Sequence, residues 1–386
     1  MRPISYTTGN SIALLQSGVE FFPALLSACE AARVEIYLET YIFGDDAVAT
    51  NITEALARAV QRGVTVKLIV DWIGTGNRYS AQLQREMEAV GVHCRVFNAW
   101  FKRGIPRTHR KLCVVDCLTA FVGGININDD WRDDENPTVI LPAPRWDFAV
   151  QVNGPLVRVI HRELEAQWMR LSRIGLRLRW DLLREQHRRM PTAEAETALA
   201  GLVVRDNLRN RRTIERAYLQ TLGRARESVW LANPYFAPNR KLRVALIAAA
   251  ARGVQVTLLL GVGQIPMQDA VARSYYPKLL QYGVKIVEYR KTHLHGKVGV
   301  VDDRWATVGS SNYDGLSMFV NQEANVAIDD VAFARTLRER IEQGVADGVP
   351  VGLEEFASIP WYKRHFYDVA YQVYKTAIRI MAWGNY

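Results

Sequence analysis

Two copies of one short motif constrain this chain more than any other feature of its sequence. Residues His109–Asp116 read His-x-Lys-x(4)-Asp, and residues His295–Asp302 repeat the same pattern. Each copy continues to a Gly-x-x-Asn segment, which ends at Asn126 in the first copy and at Asn312 in the second. Because the copies are 186 residues apart (295 − 109), we expect two similar halves whose motifs meet in one site.

The duplication extends to the predicted secondary structure. Residues 34–43 and 228–236 alternate like strands, and each is followed by a helical stretch that ends at Gly63 or Gly253. A run rich in β-branched and aliphatic residues follows each glycine, as expected for a buried strand. This order predicts an α/β fold with two duplicated lobes related by a pseudo-twofold axis and the active site between them. The predicted segments are a first lobe (1–170), a partly helical connector without a counterpart in the repeat (171–205), a second lobe (206–350) and an aromatic, basic helical tail (351–386).

The composition is that of a globular protein with a polyanionic partner. The net charge is +9, which suits either nucleic acid or an anionic membrane surface. No apolar run has the length of a signal peptide or of a transmembrane helix, and the four cysteines show no zinc spacing. We therefore expect a cytoplasmic protein, soluble or peripheral to a membrane.

The spacing within the motif separates a chemical face from a supporting one. Side chains two residues apart share one face of a strand, so His109 and Lys111 point the same way, as does the second His-Lys pair. Asp116 and Asp302 lie seven residues beyond their histidines, on the opposite face or in the following turn. We therefore expect a supporting role for these aspartates within the catalytic motif.

Paired histidines and lysines are suited to phosphodiester chemistry without a metal or cofactor. Lysines and asparagines can surround the non-bridging oxygens, one neutral imidazole can attack phosphorus, and the other can protonate the leaving alkoxide. A nucleophilic histidine also needs a carboxylate on its second ring nitrogen. Asp147 follows the first motif and Glu323 the second, and these two residues are the predicted carboxylates.

The motifs resemble the HKD motifs of the phospholipase D superfamily over roughly residues 10–345. The flanking segments 38–42, 120–126 and 147–155 in the first half, with 232–236 and 305–312 in the second, are similar to bacterial cardiolipin synthases, particularly the short form without N-terminal membrane helices. Two departures stand out. Gly124 occupies the position of Ser310, and Tyr313-Asp-Gly follows the second asparagine.

The resemblance implies roles for individual residues. His109 would be the nucleophile and His295 the general acid and base, acting through a phosphohistidine intermediate. The implied reaction moves a phosphatidyl group between phospholipids, with phosphatidylglycerol as donor and acceptor and phosphatidylethanolamine as a second option. The remaining implied site residues are the motif members Lys111, Asp116, Lys297 and Asp302 and the phosphate-binding residues Asn126, Ser310 and Asn312.

Three functions are compatible with this sequence: a cardiolipin synthase-type phosphatidyltransferase, a hydrolytic phospholipase D, and a metal-independent nuclease or phosphodiesterase. The flanks favour the first, and no segment resembles a dedicated nucleic-acid reader. Residues 100–103, Trp-Phe-Lys-Arg, mix aromatic anchors with cations and predict contact with an anionic membrane surface, at the cytoplasmic face of a bacterial inner membrane. The tail can serve as an interfacial helix or pack its aromatic residues on the second lobe.

Overall fold

The computed structural model describes residues 4–101, 104–134, 136–172, 198–207 and 209–381. Fifteen strands of the described residues form one continuous sheet. The strands are β1 (Thr7–Gln16), β2 (Glu35–Thr40), β3 (Thr65–Asp71), β4 (His93–Phe97), β5 (Leu112–Val115), β6 (Thr119–Gly123), β7 (Phe148–Asn153), β8 (Ala198–Arg205), β9 (Ser228–Asn233), β10 (Gln255–Gly261), β11 (Lys285–Tyr289), β12 (Val298–Val301), β13 (Trp305–Gly309), β14 (Glu323–Asp329) and β15 (Val349–Pro350).

Helices cover the faces of this sheet. In the described parts of the chain they are α1 (Ser17–Ala31), α2 (Ala47–Gln61), α3 (Tyr79–Ala89), α4 (Leu156–Leu171), α5 (Thr213–Arg224), α6 (Arg240–Ala251), α7 (Pro266–Ser274), α8 (Tyr276–Gln281), α9 (Gly315–Phe319), α10 (Val331–Ala346), α11 (Leu353–Ala357) and α12 (Trp361–Met381).

The strand order repeats between the two halves. In the first lobe it is β1-β7-β6-β5-β2-β3-β4, and in the second β8-β14-β13-β12-β9-β10-β11 with β15 added at the edge. Strands β2, β3 and β4 run parallel to one another, as do β9, β10 and β11, whereas the remaining neighbours are antiparallel. Strand β1 pairs with β8 and joins the halves. The predicted α/β fold with two duplicated lobes is confirmed.

Local sequence signals place the helix ends that the duplication predicts. Asp46 begins α2 by accepting the backbone N–H of Ala49 at 2.9 Å, a side-chain N-cap. Gly63 and Gly253 follow α2 and α6 with φ of +87° and +89°, a conformation that costs glycine nothing and most residues about 1 kcal/mol or more. The chain therefore turns sharply into β3 and β10.

One boundary of the predicted connector is wrong. Residues Ala198–Arg205 form β8, which pairs with β14 from Leu199 to Arg205. The first lobe has an equivalent strand, β1, which pairs with β7, so this part of the connector does have a counterpart in the repeat. Its short alternating run was overlooked because it follows a long charged stretch. Residues 173–197 of the predicted connector lie outside the described residues.

The lobes share one hydrophobic core. Val114, Val122 and Phe148 of the first lobe belong to the same buried cluster as Val298 and Val308 of the second, and each is completely buried. Burying one such side chain contributes roughly 1.5–3 kcal/mol. The site between the lobes is therefore held by a common core.

The C-terminal helix α12 packs one face on the second lobe. Ala370 and Ile378 are buried there, and the Tyr371 ring meets that of Tyr275 at 5.4 Å between centroids. The backbone N–H of Gly315 donates to the Tyr374 hydroxyl at 2.6 Å. Packing on the lobe thus accounts for one face of the tail. No helix in the described ranges is long and apolar enough to cross a bilayer.

Candidate active site

The two motif histidines lie where the lobes exchange backbone hydrogen bonds. His109 immediately precedes Arg110 and β5, and its N–H donates to the carbonyl of Gln322 at 2.9 Å. His295 stands just before β12, and its N–H donates to the carbonyl of Trp146 at 2.9 Å. Each contact belongs to a parallel bridge between lobes, at equivalent positions. The duplicated segments therefore place both imidazoles at one interface.

Each imidazole is held by a carboxylate from the opposite lobe. The Nδ1 atom of His109 lies 3.1 Å from Oε2 of Glu323, and Nδ1 of His295 lies 2.6 Å from Oδ2 of Asp147. In sequence, Asp147 follows the first motif and Glu323 the second, so the structure pairs histidine and carboxylate crosswise. Neither half-site is complete in one lobe. With Nδ1 bound to a carboxylate, Nε2 is the ring nitrogen available for chemistry.

Lys111 and Lys297 are buried beside the histidines. The ammonium group of Lys111 donates to the backbone carbonyl of His109 at 2.8 Å, and Lys297 donates to that of His295. Burial, reinforced by the positive charge of Lys297, lowers the pKa of Lys111 to about 7. Burial lowers the pKa of Lys297 to about 8, although Asp147 and Glu323 oppose the shift. The site therefore holds two closely spaced cations that an anion would stabilise.

Both imidazoles are neutral at pH 7 in this arrangement. Burial, followed by the charge of Lys297, lowers the pKa of His295 to about 4. Burial also lowers the pKa of His109, against the opposing effect of Glu323. Burial alone would raise the pKa of either partner carboxyl. The lysine and histidine charges nevertheless hold the pKa of both Asp147 and Glu323 below the ordinary value, so both remain ionised.

The Gly124–Ser310 difference separates the two halves. Ser310 donates its hydroxyl to Oε2 of Glu323 at 2.5 Å and accepts the N–H of Ala324 at 3.0 Å. This hydroxyl orients the carboxylate behind His109, and its contact with phosphate stays a prediction. A Cβ at Gly124 would collide with the carboxylate of Asp147, so the His295 half has no room for an equivalent serine.

The asparagines and the motif aspartates have different positions. Asn126 and Asn312 are both buried. The side-chain oxygen of Asn126 accepts the N–H of Ile42 at 3.3 Å, whereas that of Asn312 has no partner among the described residues. Asp116 accepts three backbone N–H groups of residues 33–35, and Asp302 accepts those of residues 226–228. These aspartates lie at the far ends of β5 and β12, where they hold the backbone that leads into β2 and β9. They make no contact with the imidazoles in the described structure, so their inclusion among the catalytic residues is corrected to a structural role.

Sequence reasoning missed the aromatic wall of the His109 half. The Tyr41 ring packs edge-on against the His109 imidazole at 4.8 Å between centroids, and the Lys111 ammonium lies 5.1 Å from the centre of the same ring. Asp71, at the end of β3, accepts the N–H of Thr108 at 2.8 Å and so fixes the entry to the motif. Tyr41 lies within the predicted strand run of residues 34–43, one residue after β2 ends, and that position was the available signal.

The His295 half contains a further, partly buried ion pair that no motif indicated. Asp134 bonds Arg145 at 3.0 Å and accepts from Asn128 at 2.5 Å. Burial alone would raise the pKa of Asp134, but Arg145, His295 and Lys297 hold it below its ordinary value. Nδ1 of His293 lies 3.3 Å from Oδ2 of Asp133. This half thus places two carboxylates, Asp147 and Asp134, close enough to influence the charge of His295.

Comparison with known proteins relates this chain to cardiolipin synthases. The family model described as "Cardiolipin synthase, PLD-like domain" matches residues 25–153 and again 218–344. Cardiolipin synthase B of Escherichia coli (strain K12) is 37% identical over 350 residues, which cover 89% of this chain and 82% of that protein. The probable cardiolipin synthase YwiE of Bacillus subtilis (strain 168) is 27% identical over 372 residues, or 95% of this chain and 71% of that one.

The fold also matches that of a solved enzyme. The crystal structure of phosphatidylserine synthase from Haemophilus influenzae Rd KW20 aligns with a TM-score of 0.67 at 14% identity, covering 96% of this chain and 94% of that one. At such low identity this match supports a shared fold alone. Membership of the family is shown by the family model that matches twice and by the relative that is 37% identical. This chain therefore belongs to the phospholipase D superfamily, in the family of cardiolipin synthase-like proteins.

Proposed function

We propose that this protein is a cardiolipin synthase-type phosphatidyltransferase that uses phosphatidylglycerol as donor and acceptor. The observation that carries the proposal is the pair of crossed imidazole–carboxylate contacts, His109–Glu323 and His295–Asp147, with a buried lysine beside each. The relatives named cardiolipin synthase support the choice of a lipid substrate.

In the first step His109 attacks the donor phosphodiester. A bond forms between Nε2 of His109 and phosphorus, and the bond from phosphorus to the head-group glycerol oxygen breaks. His295, protonated on Nε2, gives its proton to the departing oxygen, and glycerol leaves. Lys111 and Lys297 compensate the charge on the non-bridging oxygens, which grows as the phosphorus centre reacts.

In the second step a second phosphatidylglycerol replaces the glycerol. The neutral His295 removes the proton from its head-group hydroxyl, whose oxygen attacks phosphorus while the bond to Nε2 of His109 breaks. Cardiolipin is released and His109 returns to its neutral form. Two molecules of phosphatidylglycerol thus give one cardiolipin and one glycerol, and His295 has regained the proton that it gave to the glycerol.

The bound substrate supplies the negative charge that protonation of His295 requires. In the empty site burial and Lys297 hold the pKa of His295 near 4, too low for a general acid at neutral pH. A phosphodiester carries one negative charge and adds it beside both lysines and His295, which raises the pKa of each group. We therefore infer that the donor lipid binds together with proton uptake.

The loop that follows β4 supports attachment at a membrane surface. Trp100 and Phe101 are 76% and 52% exposed, and both rings rest on Trp72, at 5.6 and 5.1 Å between centroids. The Asn98 amide donates to the carbonyls of Gly104 and Pro106 at 2.7 and 2.8 Å and holds the loop in shape. Lys102 and Arg103, which complete the predicted membrane segment, lie outside the described residues. We infer a peripheral enzyme at the cytoplasmic face of the inner membrane.

The test is incubation of the purified protein with phosphatidylglycerol vesicles, followed by lipid analysis and a glycerol assay. Cardiolipin and free glycerol in equal amounts, retained in excess chelator and abolished in His109→Ala, support the proposal. Phosphatidic acid as the sole product would make the protein a hydrolase. Cleavage of a DNA oligonucleotide without any lipid product would overturn the assignment.

A further inference from the structure

We propose that a second cavity in the second lobe binds the phosphate of an anionic phospholipid head group and docks α12 on the bilayer. It lies between the N-terminus of α6 and the inner face of α12, and its volume is about 380 Å³. We call it the basic cleft and define it by six lining cations, namely Arg212, Arg240, Lys241, Arg243, Lys375 and Arg379. The proposal rests on the proposed function only in taking a phospholipid membrane as the partner.

The charge of the basic cleft is one-sided. Among the residues that the structure describes, no carboxylate lines it. Arg212 is neutralised by Glu215 at 2.7 Å, whereas the other five cations form no salt bridge with any residue that the structure describes. The net charge of the chain is +9, and five uncompensated cations around one cavity form a considerable part of it. Such a cluster repels itself, and an anion in the cavity would remove that repulsion.

Aromatic rings and a helix end hold these cations around the cavity. The Arg243 guanidinium carbon lies 4.9 Å from the centre of the Tyr275 ring, and its buried Nε has no hydrogen-bond partner among the described residues. The Lys375 ammonium lies 5.7 Å from the centre of the Tyr371 ring. The first amides of α6, behind the Asn239 cap, add the positive end of a twelve-residue helix. A phosphate group meets all of these requirements.

The outer face of α12 identifies the source of that phosphate as a membrane. Five of its exposed apolar side chains follow a helical spacing of four, three, four and seven residues, so they form one stripe: Tyr362, Phe366, Val369, Val373 and Ile380. Their exposed fractions lie between 45% and 64%. Exposure of such an apolar stripe to water is unfavourable, and the acyl region below the lipid head groups would bury it. A nucleic-acid partner would satisfy the cations but leave the stripe uncovered.

The position of the basic cleft agrees with simultaneous membrane contact by the active site. Ala237 and Asn239, which line the cleft, lie just beyond the carboxyl end of β9. His295 lies three residues before the start of β12, and β12 begins by pairing with that same end of β9. The cleft and His295 therefore share one edge of the second lobe. A head group bound in the cleft would hold this edge against the bilayer.

The experiment measures vesicle binding by the full chain carrying His109→Ala, so that turnover does not alter the lipids. The cleft variant is Lys241→Gln with Lys375→Gln and Arg379→Gln. The matched control, Arg224→Gln with Arg226→Gln and Lys285→Gln, removes three exposed cations at the opposite edge of the sheet. Vesicles of phosphatidylcholine with and without 30% phosphatidylglycerol are sedimented with each protein. Loss of binding on the order of 10- to 100-fold is expected for the cleft variant on the anionic vesicles, since each surface cation contributes roughly 1 kcal/mol there.

Three outcomes would overturn the proposal. They are equal loss in the cleft and control variants, equal binding of the His109→Ala protein to vesicles with and without phosphatidylglycerol, and tighter binding of a DNA oligonucleotide than of vesicles. Each variant's melting temperature is checked, and single Arg379→Glu, at an exposed position, replaces a cleft variant that fails to fold. In detergent-solubilised phosphatidylglycerol the cleft substitutions, made with His109 intact, should leave kcat unchanged, and a proportional loss there would also contradict a remote site. Vesicle binding without any cardiolipin synthesis would refute the proposed function and leave the basic cleft supported.

Discussion

The two halves of the active site are built on the same plan but are not chemically equal. His109 faces Glu323 at 3.1 Å, with Ser310 behind the carboxylate and the Tyr41 ring at its side. His295 faces Asp147 at a shorter 2.6 Å, with the Asp134–Arg145 ion pair nearby. Duplication supplied two histidines, and later differences in their surroundings gave each a separate environment.

The different surroundings of the two histidines suit them to different proposed roles. The His109 half holds its imidazole between a carboxylate that is itself fixed by Ser310 and an aromatic wall, which suits a nucleophile that must keep one tautomer and one orientation. The His295 half places two carboxylates where they stabilise an imidazolium once the substrate's charge has entered. That suits a proton carrier. These surroundings support the proposed roles of His109 in attack and of His295 in proton transfer.

The largest expected effect comes from removing either histidine. His109→Ala and His295→Ala should each lower turnover of phosphatidylglycerol by at least about 10⁴-fold, because each takes away one member of a coupled catalytic pair. The two should differ on a phosphodiester with a 4-nitrophenolate leaving group, which departs without protonation. His295→Ala should release 4-nitrophenol in a single burst, and His109→Ala should release none. Bursts of equal size in both variants would break the comparison.

Replacement of either lysine should lower activity and raise stability. Lys111→Met and Lys297→Met should each cost about 10²–10³ in kcat, the effect of losing one charge-stabilising donor. Burial lowers the pKa of these amines to about 7 and about 8, so the unfolded chain binds more protons than the folded one above neutral pH. Folding therefore carries a cost that methionine removes, and the melting temperature of the empty protein should rise. A lower melting temperature would contradict the account.

Substitution by alanine at Ser310 and at Gly124 should lower activity and stability by unequal amounts. Ser310→Ala removes one hydrogen bond to Glu323, and we expect about a tenfold loss of kcat with the fold intact. Gly124→Ala places a methyl group against the Asp147 carboxylate and should cost more activity, with a lower melting temperature. Kinetics and thermal unfolding of the two alanine variants test this order, and equal losses would mean that the halves are interchangeable.

The smallest expected effect is a change in substrate affinity with pH. Lys111 and Lys297 lose their protons near pH 7 and pH 8 in the empty site, so a phosphodiester meets less positive charge as the pH rises through this window. KM should increase several-fold between pH 6.5 and pH 8.5, and in Lys297→Met the part due to the upper pKa should disappear. An unchanged pH profile in that variant would assign the effect to another group.

The sequence predicted which residues meet in the candidate site better than it predicted the contacts between them. The repeated His-x-Lys motif gave the two-lobed α/β fold, because residue spacing and strand periodicity are local properties that duplication preserves. It gave no information on which carboxylate meets which histidine, since the His109–Glu323 contact joins residues 214 positions apart. The Asp134–Arg145 pair and the Tyr41 wall were missed for the same reason. They depend on how loops from different strands converge.

The division of roles between His109 and His295 is tested most directly by trapping the covalent intermediate. The protein, with His295→Ala introduced to prevent proton removal from the acceptor, is mixed with the 4-nitrophenyl phosphodiester and digested, and the modified peptide is sequenced by mass spectrometry. The account predicts a phosphoryl adduct on His109. An adduct on another residue would contradict it, and so would an adduct on His295 when a His109→Ala variant that keeps His295 is treated in the same way.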